Sequence, residues 1–147
     1  MKICIVSSCG GHLTEVLALS KVYENWPHFY VINDTILLPQ NMEGKTKFIT
    51  HSERDFKFII NLYQAFCILR TERPNIILST GAGPVVAFAL TGRLFFNCHI
   101  IFIETITRIH KPSLTARIMY YLANDFFYQW KSLSLYFPKG QYGGLLL

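Results

Sequence analysis

His12 closes the run Ser7-Ser8-Cys9-Gly10-Gly11-His12, in which two adjacent glycines separate a short apolar segment from an amphipathic one. A glycine turn leading into a helix lets backbone N–H groups approach an anion at the positive end of the helix dipole. The imidazole delivered to the same place is a candidate general base toward a hydroxyl, or else a side chain that caps the turn. A second turn of this kind, Thr80-Gly81-Ala82-Gly83-Pro84, ends in a proline suited to the first position of a helix. Ser8, Gly10, Gly11, Thr80, Gly81 and Gly83 are therefore candidate phosphate-binding residues, with Arg108 and Lys111, beside His110, supplying positive charge from a third segment. Glu104 ends an otherwise apolar run, where a carboxylate needs a donor. It can accept substrate hydroxyls or pair with Arg108, and His12 and Glu104 are the two candidate catalytic residues.

Three other chemistries fit less well. Asp34 stands about where a ribose-binding carboxylate would, but Gly10-Gly11-His12-Leu13-Thr14-Glu15 lacks the Gly-x-Gly-x-x-Gly spacing of a dinucleotide site. A phosphatase built on Cys9 wants an arginine six positions on, where Glu15 stands. A metal held by Cys9 and His12 needs further ligands that the sequence does not offer, so no metal and no resident cofactor are expected in this chain.

The elements that must carry these residues alternate. Ile3–Ser7 reads as a buried strand, and Leu13, Val16, Leu17 and Ser20 then share a helical face with Glu15 and Lys21 turned away. Strands follow at His28–Asn33 and Lys47–Thr50. A long helix runs from Asp55 to Glu72, capped by Ser52 or Asp55, with Lys57, Asn61 and Gln64 as its polar stripe and Pro74 beyond its end. So wide an apolar surface on the remainder implies burial or a shared contact with a partner or membrane. Then come a strand at Asn75–Ser79, a helix at Val85–Phe96, a strand at His99–Glu104, a helix at Ser113–Ala123, a strand at Asp125–Gln129 and a last apolar piece after Gly143-Gly144. Residues 84–103 are apolar enough to suggest a membrane span, but Arg93, Asn97 and His99 interrupt them and a helix-to-strand switch accounts for them more simply. The alternation predicts one α/β domain over residues 1–147, a doubly wound parallel sheet whose loops converge at the carboxyl ends of the strands.

With 147 residues, 51% of them hydrophobic and 16% charged, the chain can bury a core of its own and disorder is excluded. The opening Met1-Lys2-Ile3-Cys4-Ile5-Val6 is too short before Gly10-Gly11 for a signal peptide, so the expected location is cytoplasmic. Four cysteines without Cys-x-x-Cys spacing read as small hydrophobes. The net charge of +5 belongs to the C-terminal third: residues 105–147 carry five Lys or Arg against one acid, whereas residues 1–104 carry nine against eight. That excess points to an anionic partner such as a phosphate group or an acidic membrane surface. Nucleic acid is not expected, because no dense basic run interleaved with aromatics is present.

Taken together, Ser7–Leu13, Ser79–Pro84, Phe102-Ile103-Glu104 with Arg108 and Lys111–Thr115, Gln129-Trp130 and Tyr142-Gly143-Gly144 resemble the small subunits of heteromeric polysaccharide glycosyltransferases. Those subunits look like the membrane-anchoring partner of the eukaryotic GlcNAc transferase that makes chitobiosyl-diphosphodolichol, and the likeness runs in order along nearly the whole chain. The resemblance implies a Rossmann-like domain equivalent to the N-terminal, acceptor-side half of a GT-B glycosyltransferase, as in the peptidoglycan GlcNAc transferase. By the same implication, the UDP-sugar donor sits on a separate partner subunit and the lipid-diphosphate-linked saccharide acceptor meets this chain, with His12 a candidate for the base. The chain begins at its first strand, as bacterial capsule and exopolysaccharide subunits do. The expected attachment is therefore peripheral, at the inner face of the plasma membrane, through the basic C-terminal third and the apolar faces of the Asp55–Glu72 and Val85–Phe96 helices. A non-catalytic scaffold that only stabilises and localises a partner enzyme is the alternative.

Overall fold

Apolar runs of four to six residues recur between helical segments, and runs of that length buried on both faces build parallel sheets. A computed structural model describes residues 1–33, 42, 44–50 and 57–146. Its strands are β1 (Ile3–Ser7), β2 (His28–Asn33), β3 (Thr46–Ile49), β4 (Ile76–Ser79), β5 (His99–Ile103), β6 (Asp125–Tyr128) and β7 (Gln141–Tyr142). All pair in parallel, in the order β3-β2-β1-β4-β5-β6-β7. The helices are α1 (Gly11–Ala18), α2 (Ser20–Tyr23), α3 (Lys57–Glu72), α4 (Pro84–Phe95) and α5 (Leu114–Leu122), with a 3-10 turn at Lys131–Leu135.

Alternation along β1 divides the interior. Cys4 and Val6 join Ala65 and Leu69 of α3, Val85, Phe88 and Ala89 of α4 and Ala116 and Met119 of α5 in one apolar cluster. Ile3 and Ile5 face the other way, onto Val16 and Tyr23 of the α1–α2 layer. Helices thus cover both faces, and the chain order reverses at β1, whose neighbours are β2 and β4. The loops after β1 and β4 leave that switch point on opposite sides of the sheet, and the crevice between them is where ligands bind in open α/β sheets.

Four expectations are corrected. The last apolar piece forms no strand: β7 lies before Gly143-Gly144, where Gly143 N donates to Tyr128 O at 3.0 Å. Glu15 is not turned to solvent but is buried, with 2% exposure. On α3 the expected polar stripe does not face solvent as a unit: Asn61 is buried and half-buried Gln64 accepts through Oε1 from Thr50 N at 3.2 Å, while the apolar Ile59, Ile60 and Tyr63 are exposed. On α4, Val85, Ala87, Phe88 and Ala89 are buried, and exposed apolar bulk is confined to Leu94 and Phe95 in its last turn. The expected caps Ser52 and Asp55, and Asp34, lie outside the described residues.

Candidate functional site

The two glycine turns meet through reciprocal hydrogen bonds. His12 Nδ1 donates to Thr80 O at 3.1 Å, and Thr80 Oγ1 donates to His12 O at 2.9 Å. A carbonyl oxygen only accepts, so the proton is fixed on Nδ1 and the neutral ring keeps its lone pair on Nε2. Nε2 makes no hydrogen bond among the described residues, and half-buried His12 therefore presents the nitrogen a base needs.

The backbone of both turns is shaped for this contact. Gly10, at φ +93°, precedes α1 in a conformation that side chains resist, and nothing lies within 4 Å of where a Cβ would stand on Gly10 or Gly11. That open space lies beside the first N–H groups of α1, which have no intrahelical acceptors. Gly81, at φ +131°, is the floor under the imidazole: a Cβ there would lie 2.4 Å from His12 Cε1 and 2.6 Å from Nδ1. Ala82 follows at φ +94°, an unfavourable conformation costing about 1–3 kcal/mol. Ser79 Oγ holds the turn by donating to Gly81 O at 2.8 Å and accepting from Gly81 N at 3.2 Å. Gly83 is the exposed residue preceding α4, with Pro84 at the helix start. Ser8 is half-buried in the first turn, where its carbonyl accepts from Ser7 Oγ at 3.0 Å. Cys9 is tied to the end of β2, its N–H donating to Asn33 Oδ1 at 3.0 Å and its Sγ to Asn33 O at 3.1 Å.

The loop from Glu104 to Ser113 carries Arg108, His110 and Lys111, all exposed and without ion pairs among the described residues. It is held from below. Trp130 Nε1 donates to Ile106 O at 2.6 Å, Arg108 N donates to Thr105 O at 3.1 Å, and Ser132 Oγ donates to Ile109 O.

Glu104 has a different place from either one expected. It is fully buried, and its carboxylate accepts from Ser113 N at 2.9 Å, from Ser113 Oγ at 3.1 Å and from Thr105 N at 3.1 Å. Ser113 Oγ in turn accepts from Ala116 N at 3.0 Å as the N-cap of α5. The carboxylate thus joins the two ends of the basic loop and leaves no oxygen for a substrate. Burial raises its pKa, against the lowering effect of the Ser113 and Thr105 hydrogen bonds and the Arg108 charge.

Because this pKa is raised on folding, the folded state holds the proton more tightly than the unfolded one. The stability it contributes is complete below the unfolded carboxylate range and is lost as pH rises through the folded value. In denaturant titrations from pH 4 to 7, a Glu104→Gln chain is expected to gain stability relative to wild type as pH rises. Parallel profiles would show that Glu104 does not titrate in this way.

Glu15 is the residue that sequence reasoning missed. Its Oε1 accepts from Thr105 Oγ1 at 2.6 Å and from Ile106 N at 3.3 Å, and its Oε2 accepts from Gln129 Nε2 at 3.3 Å. Its partners lie 90 or more residues away in the chain, so no local pattern signals them.

The described surface also holds other depressions. One of about 680 Å3, lined by Arg73, Arg93 and Phe95 among others, lies at the amino ends of β4 and β5, the opposite edge from His12. Another of about 300 Å3 is apolar and runs along β4, β5 and β6 beside Val22 and Trp26. Neither includes His12 or the glycine turns.

Comparison with known proteins follows the same lines. A UDP-GlcNAc 2-epimerase of Methanocaldococcus jannaschii superposes with a TM-score of 0.71 at 13% identity, over 95% of this chain and 42% of that one. MurG of Acinetobacter baumannii gives 0.64 at 14% identity, over 88% and 41%. The chain spans about two fifths of these structures, and the likeness shows a Rossmann-like α/β fold of the GT-B N-terminal kind. Among curated proteins, the UDP-N-acetylglucosamine transferase subunit ALG14 of Homo sapiens is 26% identical across the whole chain, which covers 83% of its length. That of Candida albicans is 32% identical over 91 residues, 58% of this chain and 41% of the relative. Both relatives are eukaryotic transferase subunits, and their names carry no capsule or exopolysaccharide role. The family model described as "Oligosaccharide biosynthesis protein Alg14 like" matches residues 49–146, and the chain belongs to that family.

Proposed function

We propose that this chain is the acceptor-side subunit of a two-chain glycosyltransferase, active with a separate subunit that binds the UDP-sugar donor. The diphosphate of a lipid-linked saccharide would lie across the two glycine turns, within reach of the helix N-termini and of Arg108 and Lys111. His12 Nε2 would accept the proton of the acceptor sugar hydroxyl as its oxygen bonds to the anomeric carbon of the donor. The bond from that carbon to the UDP oxygen breaks, and UDP leaves with the electron pair. The observation that carries the reading is the tautomer lock: Nδ1 is committed to Thr80 O between the open Gly10-Gly11 turn and the Gly81 turn beneath the ring, and Nε2 is left as the base. The curated relatives' names, as subunits of a UDP-GlcNAc transferase, support both the heteromer and the sugar-transfer chemistry. Titration with a short-chain lipid-diphosphate sugar tests acceptor binding. Replacing Arg108 and Lys111 together by Ala should weaken binding at least tenfold, and unchanged affinity would remove the basic loop from the site.

Membrane contact on this reading is peripheral. No helix among the described residues is long and apolar enough to cross a membrane. Support comes from the exposed Ile59, Ile60 and Tyr63 of α3 and from Leu94 and Phe95 of α4, with Arg70 and Arg73 nearby in the chain. Apolar side chains flanked by cations suit an anionic bilayer surface. Substituting Asp at both Ile60 and Tyr63 should abolish flotation with vesicles rich in anionic lipid while leaving the thermal midpoint unchanged. Retained flotation would place the contact elsewhere.

A further inference from the structure

The Glu15 carboxylate joins three parts of the molecule that the proposed site needs in register. It lies on α1 one turn beyond His12, is 2% exposed, and forms no ion pair among the described residues. One oxygen holds Thr105 Oγ1 and Ile106 N, at the root of the loop that carries Arg108 and Lys111. The other holds Gln129 Nε2, which also donates to Glu104 O at 3.1 Å, while Gln129 Oε1 accepts from Leu146 N at 2.9 Å. The Gln129 amide is thereby oriented with its NH2 toward Glu15 and its carbonyl toward the C-terminal segment. Removing one acceptor leaves a buried donor unpaired and forces the remaining bonds to rearrange around the Gln129 amide.

We propose that Glu15 is a positioning residue that fixes the spacing between the His12 turn and the basic loop and holds the C-terminal segment against that loop. The proposal rests on the acceptor-site reading for its functional consequence, but the coupling itself is a property of the fold.

The test uses the intact chain, wild type and Glu15→Gln, with Thr105→Val as a second and milder variant that removes the Thr105 hydroxyl from Glu15 and from Thr107 and leaves the Gln129 bond in place. Amide hydrogen exchange is expected to accelerate at least tenfold at Ile106 and Leu146 in Glu15→Gln, with β1 amides such as Ile5 unchanged. Thr105→Val should accelerate Ile106 and Thr107 and leave Leu146 unchanged. A uniform increase across the molecule, or none, overturns the proposal by reducing Glu15 to general packing.

Inorganic pyrophosphate serves as the second probe. Its affinity should fall about tenfold in Glu15→Gln and also in Arg108→Ala, and the double variant should lose less than the product of the two single losses, since both changes act through the same loop. Selective exchange with fully additive affinity losses also overturns the proposal. If wild type fails to bind pyrophosphate, the phosphate reading of the site fails, and the exchange pattern alone decides the coupling.

Discussion

Replacing His12 by Ala is expected to lower turnover of the assembled transferase about a hundredfold or more, the usual contribution of a positioned general base. The fold should survive, because Thr80 Oγ1 still donates to the backbone carbonyl of residue 12 and only the Nδ1 bond is lost, a change of about 0.5–1.5 kcal/mol. His12→Asn separates the two roles of the ring. The Asn Nδ2 group can still donate to Thr80 O, but no basic nitrogen remains. This variant should be as inactive as His12→Ala and more stable, as read by steady-state rates beside thermal melts. If Asn restored activity, the imidazole would be a clasp between the turns and the scaffold reading would gain.

The Gly81→Ala chain is expected to fail at the same step without touching a reacting group. Its added methyl would stand 2.4 Å from His12 Cε1 and 2.6 Å from Nδ1, closer than real Cβ contacts allow, on a backbone at φ +131°. The ring must therefore leave Thr80 O, so turnover should fall about as far as in His12→Ala, with a stability loss of about 1–3 kcal/mol from the strained backbone. Combining the two substitutions gives a sharper result. With the ring already absent the methyl has less to displace, so the double variant should be no less active than either single one and should recover part of the stability. Strictly additive losses in both quantities would show that Gly81 and His12 act independently.

These two residues also show where sequence reading succeeds and where it stops. The strand and helix order was legible because each buried strand is a short apolar run bounded by Gly, Pro or Asn, and boundaries moved by only a residue or two. The convergence of the glycine turns followed from parallel topology alone, since every strand's carboxyl end lies on one edge. The clasp between them was not legible: His12 and Thr80 are 68 residues apart, and a tautomer depends on which acceptor faces the ring.

Glu15 and Asn61 were misplaced for a related reason. Helical periodicity assumes one apolar face packed inward, yet α1 packs its carboxylate onto donors from the β5 and β6 loops. On α3 large apolar side chains, Ile59, Ile60 and Tyr63, are exposed while Asn61 is buried. For Glu104 the sequence offered a substrate hydroxyl or Arg108, and folding supplied Ser113 instead, because the N-cap of α5 returns to the end of β5.

The basic loop, the two turns and the buried carboxylates thus divide the work. Glu104 and Glu15 hold geometry from inside, while His12, the glycines, Arg108 and Lys111 carry the surface on which an acceptor diphosphate would lie. Reconstitution with a purified donor-binding subunit, a UDP-sugar and a lipid-diphosphate-linked saccharide measures this most directly. Sugar transfer should require both chains and should collapse when the His12→Ala chain replaces wild type, although the two subunits still associate. Full transfer by the donor-binding subunit alone, or by its complex with the His12→Ala chain, would contradict the account.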